Sequence, residues 1–256
     1  MMDKYNLSKD WLQAMELDDA VFMAKKEKKI KKTIEVRANP LIISEKEKKQ
    51  DIESSSRNVV DNISSISDLR EALLNFDGCP LKFGANHTVF GDGNPGSKIM
   101  LIGEAPGATE DAEGIPFCGE SGKLLDNMLA SINLYRDKNF YITNTVFWRP
   151  PANRAPTQEE IDICKPFVEK HIALIKPKLL ILVGSTAVSS LLGNHLQISK
   201  IRQEYYQYSN QYLPEPITTT AIFHPAYLLR QPMQKKTSWY DLLKIKDYAS
   251  EIGISI

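Results

Sequence analysis

Apolar residues along this chain recur at two spacings, and those spacings lay out a series of elements. Near the start, Trp11, Leu12, Met15, Leu17, Val21 and Phe22 have roughly helical spacing behind Ser8, a residue suited to an N-cap, so one short helix is expected within residues 1–23. A polar stretch follows, opening on the lysine-rich run Lys25 to Lys32 and passing Ser54-Ser55-Ser56. Residues 24–66 therefore read as a charged linker, expected to be disordered. From residue 67 the pattern tightens. Leu69, Ala72, Leu73 and Phe76 are spaced as on a helix, Lys98 to Gly103 is an apolar strand, and Leu124, Leu125, Met128, Leu129 and Ile132 return to helical period. Asn139 to Phe147 reads as a second strand, Leu179 to Gly184 as a third and Ile217 to Phe223 as a fourth. Between them Thr157 and Glu160 form a capping box that opens a helix carrying Ile161, Cys164, Phe167, Val168 and Ile172.

Apolar strands alternating with helices predict an α/β fold over residues 67–256: a three-layer α/β/α sandwich around a central four-stranded, mainly parallel sheet. In such a fold ligands bind beyond the carboxyl ends of the strands. The chain has 256 residues, 42% of them hydrophobic, which suffices for one well-buried core. Its formal charge is zero, so binding to nucleic acid would have to come from local basic patches. Three cysteines, Cys79, Cys118 and Cys164, are too few and too far apart for a secreted disulfide framework. No run approaches the roughly 20 apolar residues of a membrane span, and the first residues lack the apolar core of a signal peptide. A cytoplasmic monomer with no membrane contact is expected.

The residues able to carry chemistry sit at the predicted strand ends. The first strand runs into Gly103-Glu104-Ala105-Pro106-Gly107-Ala108-Thr109-Glu110-Asp111, a turn rich in carboxylates. It lacks both the Gly-Lys-Ser/Thr of a phosphate loop and the spacing of a dinucleotide fingerprint, and its acids would repel phosphate. The second strand carries Asn144 and leads into Phe147-Trp148-Arg149-Pro150-Pro151-Ala152-Asn153-Arg154. The fourth ends at His224-Pro225-Ala226-Tyr227-Leu228-Leu229-Arg230.

Together these segments resemble the family 4 uracil-DNA glycosylases, from about Leu69 to the end of the chain. Gly-Glu-Ala-Pro-Gly-x-x-Glu-Asp and His-Pro-Ala-Tyr-Leu-Leu-Arg are similar to the family's two signature segments, with Gly114-Ile115-Pro116-Phe117-Cys118-Gly119 and Asn144…Arg149-Pro150-Pro151 in order between them. The resemblance implies an enzyme that flips uracil out of single- or double-stranded DNA and hydrolyses its N-glycosidic bond, initiating base excision repair. It implies that Phe117 stacks on the uracil and that Glu110 walls off the thymine methyl. Asn144 suits N3–H and O4 of uracil with one amide, and His224 suits the charge that develops on O2. Glu104 is the candidate to orient water, with Ala105 and Pro106 completing the pocket. Leu228 and Leu229 are candidate wedges into the DNA, and Arg149, Arg154 and Arg230 candidate phosphate contacts.

One departure stands out. The family typically holds a [4Fe–4S] cluster on four cysteines, and here those positions read Phe76, Cys79, Trp148 and Cys164. Two thiols and two bulky apolar groups do not supply four ligands, so no cofactor is expected and the site should be filled by packing. Other readings remain in view: a DNA-binding relative without activity, or a glycosylase for another deaminated or mismatched base.

Overall fold

A computed structural model describes residues 56–193, 196–202 and 204–256. Its strands are β1 (Asp92–Gly93), β2 (Ile99–Gly103), β3 (Tyr141–Asn144), β4 (Leu179–Val183), β5 (Tyr206–Tyr208) and β6 (Ile217–Ile222), joined in the order β1-β3-β2-β4-β6-β5. The four central strands are parallel and are the four that the apolar runs predict. The sheet nevertheless has six strands rather than four, because β1 and β5 add antiparallel edges. At two and three residues those edges are too short to leave a periodic signal. The second strand also ends sooner than expected, at Asn144, after which the Thr145 and Val146 amides still donate to the carbonyls of Gly103 and Glu104 at 3.0 and 3.3 Å.

Every residue of β2, β3 and β4 is buried, as strands covered on both faces must be. Side-chain alternation then divides the apolar core in two. Met100, Ile102, Leu180 and Leu182 face one cluster with helices α1 (Ile66–Leu74), α4 (Gln158–Ile175) and α5 (Ser185–Leu192). Ile99, Leu101, Ile181 and Val183 face the other, with α3 (Glu120–Ala130), α7 (Pro225–Arg230) and α8 (Lys235–Glu251). Two further helices are short, α2 (Ala108–Glu113) and α6 (Ile198–Ile201). The capping box of α4 forms as expected: the Glu160 amide donates to Thr157 Oγ1 at 3.2 Å and the Thr157 amide to Glu160 Oε2 at 2.7 Å.

The end of the expected linker belongs to the folded body. Residues 56–60 are helical and Val60 is fully buried. Lys170 donates to the Asp61 carbonyl at 3.0 Å and the Tyr212 hydroxyl to the Asp61 carboxylate at 2.6 Å. Composition missed this because only a few apolar residues, Val60 with the partly buried Ile63 and Ile66, anchor the stretch amid polar neighbours. The helix expected within 1–23 and the rest of the linker lie outside the described residues. No helix among the described residues is long and apolar enough to cross a membrane.

Candidate active site

The last residues of the central strands align along one edge, with Gly103 opposite Asn144 and Val183 opposite Ile222. From β2 the chain crosses to β3 on one side and then returns past β2 to β4 on the other. Such a reversal opens a crevice at the carboxyl edge between β2 and β4. A cleft of about 1280 Å³ lies there, lined by Glu104, Ala105, Pro106, Glu110, Phe117 and His224 among others.

Glu104, the first residue beyond β2, is half-buried, and Thr186 at the start of α5 donates a short hydrogen bond to its Oε2. The two sides of the crevice are thus tied together by the carboxylate. His224 caps α7: its Nδ1 accepts the Ala226 amide at 3.2 Å. A neutral imidazole that accepts at Nδ1 carries its proton on Nε2, leaving one N–H to donate. Burial pushes the His224 pKa below its ordinary value; Glu104 and Glu110 oppose that shift and Arg230 adds to it. Gly184 sits at φ +96°, and a Cβ there would come within 3.0 Å of His224 Cβ, so the close approach of these two loops requires glycine.

Phe117 is held in an uncommon backbone conformation, φ +53°. Arg136 holds it there, donating to the carbonyls of Pro116 and Phe117 at 2.6 and 2.9 Å while paired with Asp92 and Asp126, each at 3.0 Å. The Phe117 ring lies 5.7 Å from that of His224 and packs against Gly103, where a Cβ would meet it at 2.3 Å. The same Cβ would lie 2.5 Å from Asn144 Oδ1, so ring and amide meet over one glycine. Asn144 is 1% exposed, and neither its Oδ1 nor its Nδ2 has a hydrogen-bond partner. Leaving a buried amide unpaired costs roughly 1 to 3 kcal/mol per group, so Asn144 holds unused hydrogen-bonding capacity at both atoms.

Several expectations are altered by the geometry. Glu110 lines the cleft, yet its two oxygens accept the amides of Gly107 and Gly119 at 3.1 and 2.9 Å, so it braces the Phe117 loop against α2. Leu228 is no wedge: it is fully buried among the side chains beneath the sheet, because α7 turns that face inward. Leu229, the next residue, is 41% exposed on the cleft rim. Arg154 reaches the rim but is clamped onto Glu160 by two bonds of 2.8 and 2.6 Å, and Arg149 bonds Asn153 at 2.7 Å without lining the cleft. Arg230 lies exposed on the rim. Sequence reasoning passed over Arg136, Thr186 and Gly184. Only Gly184, closing an apolar strand, carried a signal that a tight turn followed.

Away from the cleft, Cys79 and Cys164 are both buried and hydrogen-bond through their sulfurs. Burial pushes the Cys164 thiol well up, and the bond from Cys164 draws Cys79 down. Phe76 packs on Phe167 with ring centroids 4.9 Å apart, and Trp148, 1% exposed, donates from Nε1 to Thr88 Oγ1 at 2.9 Å. All four positions lie in one apolar cluster, and their donor set does not fit a four-thiolate cluster.

A parallel α/β sheet has at its carboxyl edge a crevice lined by a carboxylate, an imidazole and an aromatic ring, with the unpaired amide of Asn144 buried behind that lining. Residues 90–244 match the model of the uracil DNA glycosylase superfamily; the chain belongs to that superfamily and is a DNA glycosylase. Its similarity narrows to one branch, the type-4 family. A type-4 uracil-DNA glycosylase of Sulfurisphaera tokodaii is 36% identical over 73% of this chain and 86% of its own length. Proteins of the same description from Archaeoglobus fulgidus and Thermotoga maritima are 33% and 34% identical, over 72% and 68% of this chain and 92% and 90% of theirs.

Proposed function

We propose that the chain removes uracil from DNA, flipping the base into the cleft and hydrolysing its N-glycosidic bond, the first step of base excision repair. The observation that carries this reading is the orphaned amide of Asn144 beside Phe117. Uracil offers a donor at N3 and an acceptor at O4, which Oδ1 and Nδ2 of one asparagine satisfy together. Cytosine reverses that order, leaving the amide mispaired at a cost of about 1 to 3 kcal/mol per group. The Phe117 ring supplies a stacking face, and Glu110, with the loop it braces, stands as the wall against a C5 methyl.

As the bond breaks, its electron pair leaves with uracil and the sugar becomes cationic. His224 Nε2–H donates to the developing anion at O2; one such preorganised donor contributes about 3 to 4 kcal/mol. Glu104, oriented by Thr186, accepts a proton from the water whose oxygen adds to C1′ and stabilises the cationic sugar. Leu229 fills the space the base vacates, and Arg230 contacts the backbone of single- or double-stranded DNA. No step uses a metal. The family's iron–sulfur cluster is replaced in this chain by the Cys79–Cys164 thiol pair with Phe76 and Trp148 packed around it.

Oligonucleotides carrying a single uracil, hypoxanthine or mispaired thymine test the reading. The protein should leave abasic sites at uracil, with a chelator present, and Asn144→Asp should lose that selectivity because a carboxylate repels O4. Faster release of another base, or activity restored only by added metal, rejects it.

A further inference from the structure

At about 1280 Å³ the cleft exceeds the roughly 300 to 1,000 Å³ of a typical small-ligand site, so it has room beyond one flipped base. Beside His224 its lining includes Ser199, Arg202, Phe223, Tyr227 and Gln234, a group of residues termed the lobe. Arg202 is the unusual member. Its side chain is 9% exposed, its guanidinium carbon lies 4.9 Å above the Phe223 ring, and Nη1 donates to both oxygens of Asp241 at 2.6 and 2.8 Å. Nε is buried with no hydrogen-bond partner, and Nη2 donates to no protein atom among the described residues.

An arginine fixed by a carboxylate at one nitrogen and an aromatic ring on one face has a single unused edge, the Nε–Nη2 fork, and that edge matches two oxygens of a phosphate. Charge across the cleft agrees. Glu104, Glu110 and Glu120 line it near the base pocket, whereas Arg230, exposed and without an ion pair among the described residues, shares the rim with Arg202. An anion is therefore driven toward the arginine side. Phe223 and His224 are consecutive, so this lobe adjoins the site of the flipped base. We infer that Arg202 binds a DNA backbone phosphate immediately beside the flipped nucleotide, a contact that rests on the glycosylase reading above and sets substrate affinity rather than the rate of bond cleavage.

The test uses the whole protein in excess over a single-stranded oligonucleotide with one uracil, under single-turnover conditions. R202K keeps a cation for Asp241 but loses the fork. The enzyme concentration giving half the maximal rate should rise about tenfold, while the maximal rate stays within about twofold. A neutral methylphosphonate at a phosphate adjoining the uridine should weaken the wild type by a similar factor and add nothing in R202K; at a remote phosphate the two losses should multiply. Should R202K fold poorly, Ser199→Glu, which sets a negative charge in the lobe without touching the Asp241 pair, should give the same loss of affinity. Unchanged half-saturation in the folded variants, or losses that multiply at every adjoining phosphate, overturns the inference. If the wild type releases no uracil, the glycosylase reading fails by itself. Fluorescence anisotropy with the same oligonucleotides then still decides whether Arg202 holds the phosphate.

Discussion

Trp148→Ala removes the largest of the groups that stand where the type-4 pattern has thiolates, and its cost follows from the surroundings of that ring. The indole is 1% exposed, meets Phe147 edge-on with centroids 6.2 Å apart, and donates to Thr88 Oγ1. A buried indole withdraws roughly 150 to 250 Å² from water, worth about 4 to 6 kcal/mol at about 25 cal/mol per Å². Alanine keeps part of this and the neighbours relax, which brings the loss to about 3 to 5 kcal/mol. The hydrogen bond adds less than about 1 kcal/mol, because the half-buried Thr88 hydroxyl can turn to water. For a domain of this size, about 4 kcal/mol lowers the melting temperature by roughly 8 to 16 °C. Urea unfolding followed by far-ultraviolet circular dichroism should show a lower midpoint with an unchanged slope. Trp148 does not line the cleft, so the folded fraction should keep its specific activity. A loss below about 1 kcal/mol, or stoichiometric iron and visible absorbance in the pure wild type, would refute the claim that packing has replaced the cluster.

His224→Ala should lower the single-turnover rate by roughly 10² to 10³ with DNA affinity nearly unchanged, because its bond strengthens only as charge reaches O2. Since burial lowers its pKa, His224 remains neutral as the pH falls through about 6.5; the wild-type rate should stay level there, and a drop at that pH counts against a neutral donor. His171, fully buried with its Nε2 3.0 Å from the Tyr141 hydroxyl, has its pKa pushed down to about 3. The unfolded chain takes up a proton below about pH 6.5 that the folded one refuses, so stability should decline from there toward about pH 3, and His171→Phe should flatten the slope. Removing residues 1–55 should leave a folded, active protein, whereas removal to residue 66 should lower the urea midpoint by exposing what Val60 covers; equal midpoints would show that the segment contributes nothing.

What the sequence made legible depends on how far apart the cooperating residues lie. Long apolar strands such as Leu179–Val183 and the capping box at Thr157 declare themselves locally, since a fully buried strand must be apolar throughout and a helix must cap its first amides. The short edges β1 and β5 do not, because two or three residues hold no period. Glu104, Phe117, Asn144 and His224 were legible only as parts of family motifs. Their partners were not: Arg136 reaches the Phe117 carbonyl from 19 residues away, and Thr186 reaches Glu104 from 82. No local pattern encodes such a contact. Leu228 and Leu229 read alike in sequence, and only the facing of α7 makes one core and the other rim.

The position of the four residues at the cluster positions of the type-4 pattern makes the proposed replacement of the cluster by packing compatible with the cleft. Phe76, Cys79, Trp148 and Cys164 pack on the face of the sheet formed by Met100, Ile102, Leu180 and Leu182. Phe117 belongs to the opposite cluster, and Glu104, Asn144 and His224 stand at the carboxyl ends of the strands. The four positions join the turn after α1, the segment that follows β3 and helix α4, and this is a tertiary bond that aromatic packing can make as well as iron. A short covalent stretch runs directly from that region to the pocket, the five residues from Asn144 to Trp148. There the amides of Thr145 and Val146 are pinned to Gly103 and Glu104, and the Thr145 hydroxyl donates to the Glu104 carbonyl at 2.6 Å. Repacking at Trp148 is thereby restrained from moving Asn144, because the backbone of Thr145 and Val146 is held by the carbonyls of Gly103 and Glu104.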